Sequence, residues 1–434
     1  MPRDYDEPDG PEIEVALFRV PAASSEDRIG SLLVNPGGPG PSGVEFAREF
    51  AGELPAEIRD RFDVVGFDPR GTGETIPVDC TDTLDPLLDL DYSPDSKDER
   101  DALAAAGRDF ADACEERHGD DLAGVDSRDT VRDMDRIRAA VGDEGLTYLG
   151  FSYGTYLGAL YADMFPKRVR ALVLDGPLDP SLNSEELAKQ QAVGFDDALD
   201  LFFDDCGNDP SCAFYSDGDP ATAFDEVSAA VEADPIPGAG GRTLSPNEFT
   251  FGVATALYLG EDGYEVLANA LARAARGDSS GLLGLFDAYT DRNSDGTYSD
   301  VLEAYYAIIC VDRPPIPARA YRGLEKEFAS AAPHFGLPLL YELRTCAEWP
   351  ADSGPTPKAV RAKGADPILV VASTGDPATP YKGGKALASQ LDSGVLLTVE
   401  SATHTSFGDD ECATEVAAAY LLDPTSIEGE TRCG

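Results

Sequence analysis

Gly150-Phe-Ser152-Tyr-Gly154 satisfies G-x-S-x-G, a spacing in which small residues let the chain turn sharply and leave a serine hydroxyl exposed. The motif alone is weak. Its flanks give it weight, because Leu146-Thr-Tyr-Leu-Gly150 has strand character and the stretch from Tyr153 to about Met164 has helical character. A serine hydroxyl is a poor nucleophile until a base takes its proton, and the chain holds only three histidines. His118 lies in the charged run Glu115-Glu-Arg-His-Gly-Asp-Asp and reads as solvated surface. His334, in Ala331-Ala-Pro-His-Phe-Gly, reads as a loop residue, with a role near the mouth of the site left open. His404, in Ser401-Ala-Thr-His-Thr-Ser, follows the last strand-like run, where a chain ordered serine, acid, histidine places its base. Asp376, in Ser373-Thr-Gly-Asp-Pro-Ala-Thr-Pro, is the acid at the exit of the preceding apolar run, Ile368 to Ala372. It is expected to hold the imidazole tautomer and stabilise the imidazolium formed during attack. The oxyanion of a tetrahedral intermediate needs two donors. The N–H of Tyr153 is one, and Gly38 in Val34-Asn-Pro-Gly-Gly-Pro-Gly-Pro-Ser-Gly43 is the choice for the second. That loop lacks the G-K-[ST] and G-x-G-x-x-G patterns of phosphate binders.

The elements that must carry these residues alternate. Leu32 to Val34 and Val64 to Phe67 read as buried strands followed by Gly/Pro-rich loops. Val131, Met134, Ile137, Ala140 and Val141 share one helical face between Asp129 and Val141. The run from Leu146 to Asp175 reads as strand, helix, strand, the pattern of parallel strands joined by a right-handed crossover. From about Asn183 to Pro350 apolar residues recur at helical spacing, as in Leu187 to Phe203, Phe249 to Leu259 and Tyr264 to Ala275. Strand character returns at Pro367 to Ser373 and Gly394 to Val399, with a helix from Lys382 to Leu391 between them. The expectation is an α/β fold whose sheet the chain leaves and re-enters. Residues 1–182 and 356–434 form the two parts of its core, and 183–355 a mostly helical cap.

The 434 residues carry 34 basic and 81 acidic side chains, a formal net of -47. Such a surface repels phosphate backbones and anionic lipid, so neither nucleic acid nor a membrane surface is an expected partner. Cationic, amine-bearing or neutral ligands remain. No run of eighteen apolar residues occurs, so no spanning helix is expected. Eight cysteines (Cys80, Cys114, Cys206, Cys212, Cys310, Cys346, Cys412 and Cys433) lack the spacing of zinc sites and suit disulfides in an oxidising compartment. The N-terminus shows no secretory leader, so an exported protein whose leader has been removed is expected. Pairing by proximity in sequence joins Cys80 with Cys114, Cys206 with Cys212, Cys310 with Cys346 and Cys412 with Cys433, although sequence does not fix connectivity. Asp291-Arg-Asn293-Ser-Asp295-Gly-Thr297-Tyr-Ser299 follows the opening of a calcium loop. Leu302 stands where the bidentate Glu belongs and Glu303 comes one residue late, so a polar turn is expected, and no metal or cofactor.

Asn35-Pro-Gly-Gly-Pro-Gly, Asp68-Pro-Arg-Gly-Thr-Gly, Gly150-Phe-Ser-Tyr-Gly-Thr, Gly375-Asp-Pro-Ala-Thr-Pro and His404-Thr, in this order, resemble the secreted bacterial tripeptidyl aminopeptidases, α/β-hydrolases similar to proline iminopeptidases. Ala307-Ile-Ile-Cys-Val-Asp, Cys346-Ala-Glu-Trp-Pro and the segment from Cys412 to Cys433 also resemble that family, and the likeness runs from about Asp4 to Cys433. It implies Ser152, Asp376 and His404 as a triad, with Gly38 and Tyr153 as the oxyanion pair. The family's leader and the cysteine expected just before its first strand are absent, and the acidic charge exceeds what the family leads one to expect. An aminopeptidase must bind a free α-ammonium, for which buried carboxylates in the cap are the natural means. Asp312, Glu348, Glu185 and Glu186 are the candidates there, each with the alternative of an exposed helix or loop charge, and Trp349 is either a wall of the pocket or a residue of the core or cap interface. A serine exopeptidase acting on short peptides with free N-termini is the first reading. A carboxylesterase with the same triad is the second, and a binding protein that kept the scaffold is the third.

Overall fold

Every residue of Gly30–Asn35, Phe62–Phe67, Leu146–Phe151 and Ile368–Ser373 is buried, which happens only where a sheet is covered on both faces. The computed structural model, which describes residues 1–427 and 429–434, contains ten strands: β1 (Leu17–Val20), β2 (Gly30–Asn35), β3 (Phe62–Phe67), β4 (Leu146–Phe151), β5 (Val169–Asp175), β6 (Ile236–Pro237), β7 (Thr243–Leu244), β8 (Ile368–Ser373), β9 (Gly394–Val399) and β10 (Thr431–Cys433). Eight of them form one sheet in the order β1-β3-β2-β4-β5-β8-β9-β10, while β6 and β7 make a separate hairpin. Only the edge strand β1 runs antiparallel to its neighbour; the other pairs in the sheet are parallel.

The two-residue period of a strand divides the core. Leu33, Val65, Tyr148, Leu172, Leu174 and Val370 pack on one face, under the helices Ser127–Ala140 and Tyr153–Met164. Leu32, Val34, Val64, Leu149, Val173, Leu369 and Val371 pack on the other, with Ala47 and Phe50 from Gly43–Phe50 and Tyr420 from Glu411–Leu422. Between Asp175 and Ile368 the described residues give the main sheet no strand. They form instead the helices Ser184–Asn208, Pro220–Ala233, Pro246–Leu257, Glu261–Ala274, Ser280–Tyr289, Val301–Asp312, Tyr321–Ala331 and Gly336–Glu342. Four disulfides, Cys80–Cys114, Cys206–Cys212, Cys310–Cys346 and Cys412–Cys433, join cysteines that are neighbours in sequence order. Among the described residues no helix is long and apolar enough to cross a membrane.

Two buried charges tie distant segments together. Asp68, just past β3, accepts hydrogen bonds from Ser42 Oγ and the N–H groups of Val44 and Glu74, which fixes the end of the glycine-rich loop after β2. Arg70 is fully buried; it forks onto Asp133 at 2.7 and 3.1 Å and donates to the carbonyls of Pro2 and Arg3, pinning the N-terminal segment. Sequence reading did not foresee β1, β10 or the long helix Lys97–His118. The two strands are short edge strands, and Leu17 is 46% exposed, so neither has the continuous apolar run of the central strands.

Candidate active site

Ser152 follows β4 directly and caps the helix Tyr153–Met164 with φ 51° and ψ -120°, a strained conformation for a residue with a Cβ. The surroundings hold it there. Its N–H donates to the Asp175 carbonyl at 2.8 Å, and its carbonyl accepts from the N–H of Thr155 at 2.8 Å and from Thr155 Oγ1 at 2.5 Å. The turn has no room for larger neighbours: a Cβ on Gly154 would lie 2.6 Å from Asn35 Oδ1, and one on Gly37, whose φ is +101°, would lie 2.9 Å from Ser152 Cβ. The glycine-rich loop is thereby pressed against the serine. The backbone N–H groups of Gly38 and Tyr153 have no partner among the described residues, and both residues share a cavity wall with Ser152. The Tyr153 ring is anchored by a hydrogen bond with Ser127 Oγ and one to Asp312.

His404 and Asp376 come from the loops after β9 and β8. His404 Nδ1 lies 2.9 Å from Asp376 Oδ1. The carboxylate is itself held by the N–H groups of Ala378 and Thr379 and by Thr379 Oγ1 at 2.6 Å. Burial disfavours a charged imidazole, but the Asp376 carboxylate, helped by Asp175, outweighs it and holds His404 above the usual histidine range. Asp175 is wholly buried, and burial pushes it up to about 6 even though it accepts from Ser406 and Phe407 N–H groups. The backbone N–H of His404 donates to the Tyr258 carbonyl at 3.2 Å, and the Tyr258 ring meets the imidazole edge to face at 5.2 Å. Ser152 and His404 line one cleft. A direct bond between Ser152 Oγ and His404 is not among the hydrogen bonds of the described residues; such catalytic hydrogen bonds often tighten only when substrate binds.

Ser152 borders two spaces. One, of about 230 Å³, lies beneath the helices of residues 184–342 and is walled by Gly38, Tyr153, Tyr258, Tyr305, Arg313 and Glu342, among others. The other, of about 490 Å³, holds His404 and an aromatic wall of Phe46, Phe50, Phe151 and Phe407. In the first, Glu342 is the carboxylate among the lining residues. It ends the helix Gly336–Glu342 and accepts from Tyr305, and burial lifts it from its ordinary 4.5 to about 7.

The carboxylates singled out from sequence lie elsewhere. Asp312 is buried behind Tyr153 and accepts from Ser127 N–H and Oγ at 2.8 and 2.6 Å. Glu348 pairs with Arg344 at 2.7 Å, and the Trp349 ring packs against Phe110. Glu186 closes a capping box with Asn183, and Glu185 occupies the same first turn. None of these five lines the cavity beside Ser152. His334 lies apart from the serine, with Nδ1 2.7 Å from Asp196 and Nε2 3.1 Å from Asp225. Asp295 accepts from Thr297, and Glu303 turns away from that loop to accept from Cys80 and Thr81.

A mostly parallel sheet with a strained serine after one strand, an acid after a later one and a histidine after the last long one defines an α/β-hydrolase. Residues 30–218 match the family model described as the alpha/beta hydrolase fold, and residues 332–433 the one described as TAP-like protein. Along its whole length the chain is 37% identical to "Serine protease Hip1" of Mycobacterium tuberculosis, covering 86% of that protein. It is 36% identical to "Carboxylesterase B" of the same species, covering 85%, and 30% identical to "Tripeptidyl aminopeptidase" of Streptomyces lividans, covering 82%. The chain belongs to the TAP-like family of α/β-hydrolases.

Proposed function

We propose that the protein is a serine exopeptidase that removes a short segment from the free N-terminus of peptides. Ser152 Oγ attacks the scissile carbonyl while His404 takes its proton, and Asp376 stabilises the imidazolium. The N–H groups of Gly38 and Tyr153 receive the oxyanion. His404 then passes the proton to the leaving amine, and water releases the acyl segment from Ser152. His404 is the group that has taken the serine's proton, so the leaving group occupies the cleft that His404 lines, against Phe46, Phe50, Phe151 and Phe407. The acyl segment occupies the cavity on the other side of the serine, under the cap of residues 183–355.

The observation that carries this reading is Glu342. Glu342 lines a cavity that holds several tyrosines and one guanidinium, Arg313, with which it forms no ion pair; a carboxylate so buried costs free energy unless a cation meets it, and a peptide's α-ammonium is such a cation. The family supports the same reading, since it includes a relative named for tripeptidyl aminopeptidase activity and another named a serine protease. The relative named as a carboxylesterase supports the alternative of small esters. Peptidyl anilides with free and with acetylated N-termini, assayed beside acyl esters, separate the two. Cleavage confined to blocked peptides or esters refutes the exopeptidase. Four disulfides fit an oxidising compartment, and we assign the protein to the cell exterior or envelope, where peptides are its partners.

A further inference from the structure

Arg313, one residue beyond the helix Val301–Asp312, is 5% exposed. Its Nε and Nη2 are buried and have no hydrogen-bond partner. Its guanidinium carbon sits 4.4 Å over the Tyr156 ring, which orients the fork without neutralising it. The adjacent Asp312 is engaged with Ser127 and Tyr153. Arg313 also borders two adjoining spaces, the 230 Å³ cavity at Ser152 and a further one of about 70 Å³ walled by Ser184, Pro315 and Cys346. Gln191 and Glu342 stand at the same junction, and Glu342 is bonded to Tyr305. The cavity thus carries a carboxyl and a guanidinium that make no ion pair with each other, and Arg313 feels the charge of the adjacent Asp312 without bonding to it. A guanidinium so buried is expected to find an acceptor, and its planar fork fits a carboxylate better than any other peptide group.

We propose that Arg313 is a specificity-determining residue that reads a carboxylate on the acyl segment, so that the enzyme favours peptides with Asp or Glu among the residues it releases. The ligand is then dipolar, with its ammonium at Glu342 and its side-chain carboxylate at Arg313. This assignment rests on the exopeptidase reading. It also runs against the protein's own field, because a net charge of -47 repels acidic peptides at long range. A preference for them therefore has to arise from a local contact, and it is best measured at high salt, where the long-range repulsion is screened.

The test uses tripeptidyl anilides with free N-termini in which Glu or its isostere Gln is moved through the three positions, assayed on the wild type, Arg313→Gln and Arg313→Lys. At one position the wild type should prefer Glu over Gln in kcat/KM by about tenfold or more, as expected for a charged hydrogen bond. The ratio should fall to about one in Arg313→Gln and be partly kept in Arg313→Lys. A wild-type ratio near or below one at all three positions overturns the proposal, as does a preference that survives Arg313→Gln. The same peptides, used as competitors of fluorophosphonate labelling of Ser152, require no turnover. Protection of Ser152 by Glu peptides that is lost in Arg313→Gln, without any cleavage, keeps the carboxylate site and refutes the exopeptidase. Cleavage without a Glu preference does the reverse. Neither cleavage nor protection overturns both. Labelling without competitor reports whether each variant is folded.

Discussion

Replacing Glu342 by Gln removes one ionisable proton and leaves an amide of nearly the same shape, with a carbonyl oxygen that still accepts from Tyr305. Burial raises this carboxyl from 4.5 to about 7, so between those values the folded protein binds a proton that the unfolded chain has released. Wild-type stability therefore falls as pH rises through that window, and the Gln variant is spared the loss. At 1.36 kcal/mol per pKa unit the difference is about 3 kcal/mol, absent at pH 4.5 and complete at pH 8. With about 2 cal/mol/K of unfolding entropy per residue, a chain this long should gain about 3 °C in Tm. Differential scanning fluorimetry of the two proteins between pH 4.5 and pH 8 measures it. The same substitution should raise KM for free-amine peptides by about tenfold to a hundredfold, the loss of one charged hydrogen bond, and leave acetylated substrates less affected. A Tm gain equal at both pH values, or a stabilisation confined to acid, refutes the argument that Glu342 sits unpaired in the empty cavity.

Ser152→Ala should lower kcat by about 10⁵-fold or more and abolish fluorophosphonate labelling while leaving the Tm near that of wild type. Asp376→Asn should cost about 10⁴ in kcat; because the carboxylate raises the His404 pKa, whatever activity is left should extend to lower pH than the wild type's, read from the acid limb of kcat/KM. Replacing Cys310 and Cys346 by Ala opens a bridge between residues 36 apart in sequence and should cost about 3–4 kcal/mol, measured by denaturant unfolding. It should also raise KM, since Cys310 lies next to Ile309, a wall of the cavity. Added salt should lower kcat/KM for cationic peptides and leave neutral esters unchanged, because the acidic surface acts at a distance that ions screen.

The residues proposed as the triad could be picked out in the sequence because they sit where strands end. Ser152, Asp376 and His404 each follow an apolar run, and the strands Leu146–Phe151, Ile368–Ser373 and Gly394–Val399 coincide with those runs. Gly38 could be singled out because the glycines of its loop let the backbone approach a substrate closely and the prolines hold the loop stiff. Glu342 could not be, since it is one of 81 acids and closes the short, mostly apolar helix Gly336–Glu342, with no motif around it. The role proposed for it comes from where that helix lands in three dimensions. Proximity to cysteines pointed instead to Asp312 and Glu348, whose oxygens are engaged by Ser127 and Arg344. Arg313 was overlooked for a related reason: in so acidic a chain an arginine suggests a surface ion pair, and only its burial sets it apart.

The Tyr258 carbonyl that receives the His404 N–H belongs to the end of the cap helix Pro246–Leu257, and Val301 of the cap lies so close to Gly40 that a Cβ there would fall 2.2 Å from its carbonyl. The loop of His404 and the loop of Gly38 are thus both braced by residues between β5 and β8. A chimera carrying a different cap would have to supply a carbonyl at the Tyr258 position and a backbone fitted to Gly40 before its specificity could matter. With the triad and cavity roles proposed above, substrate choice and catalytic competence would be inherited together.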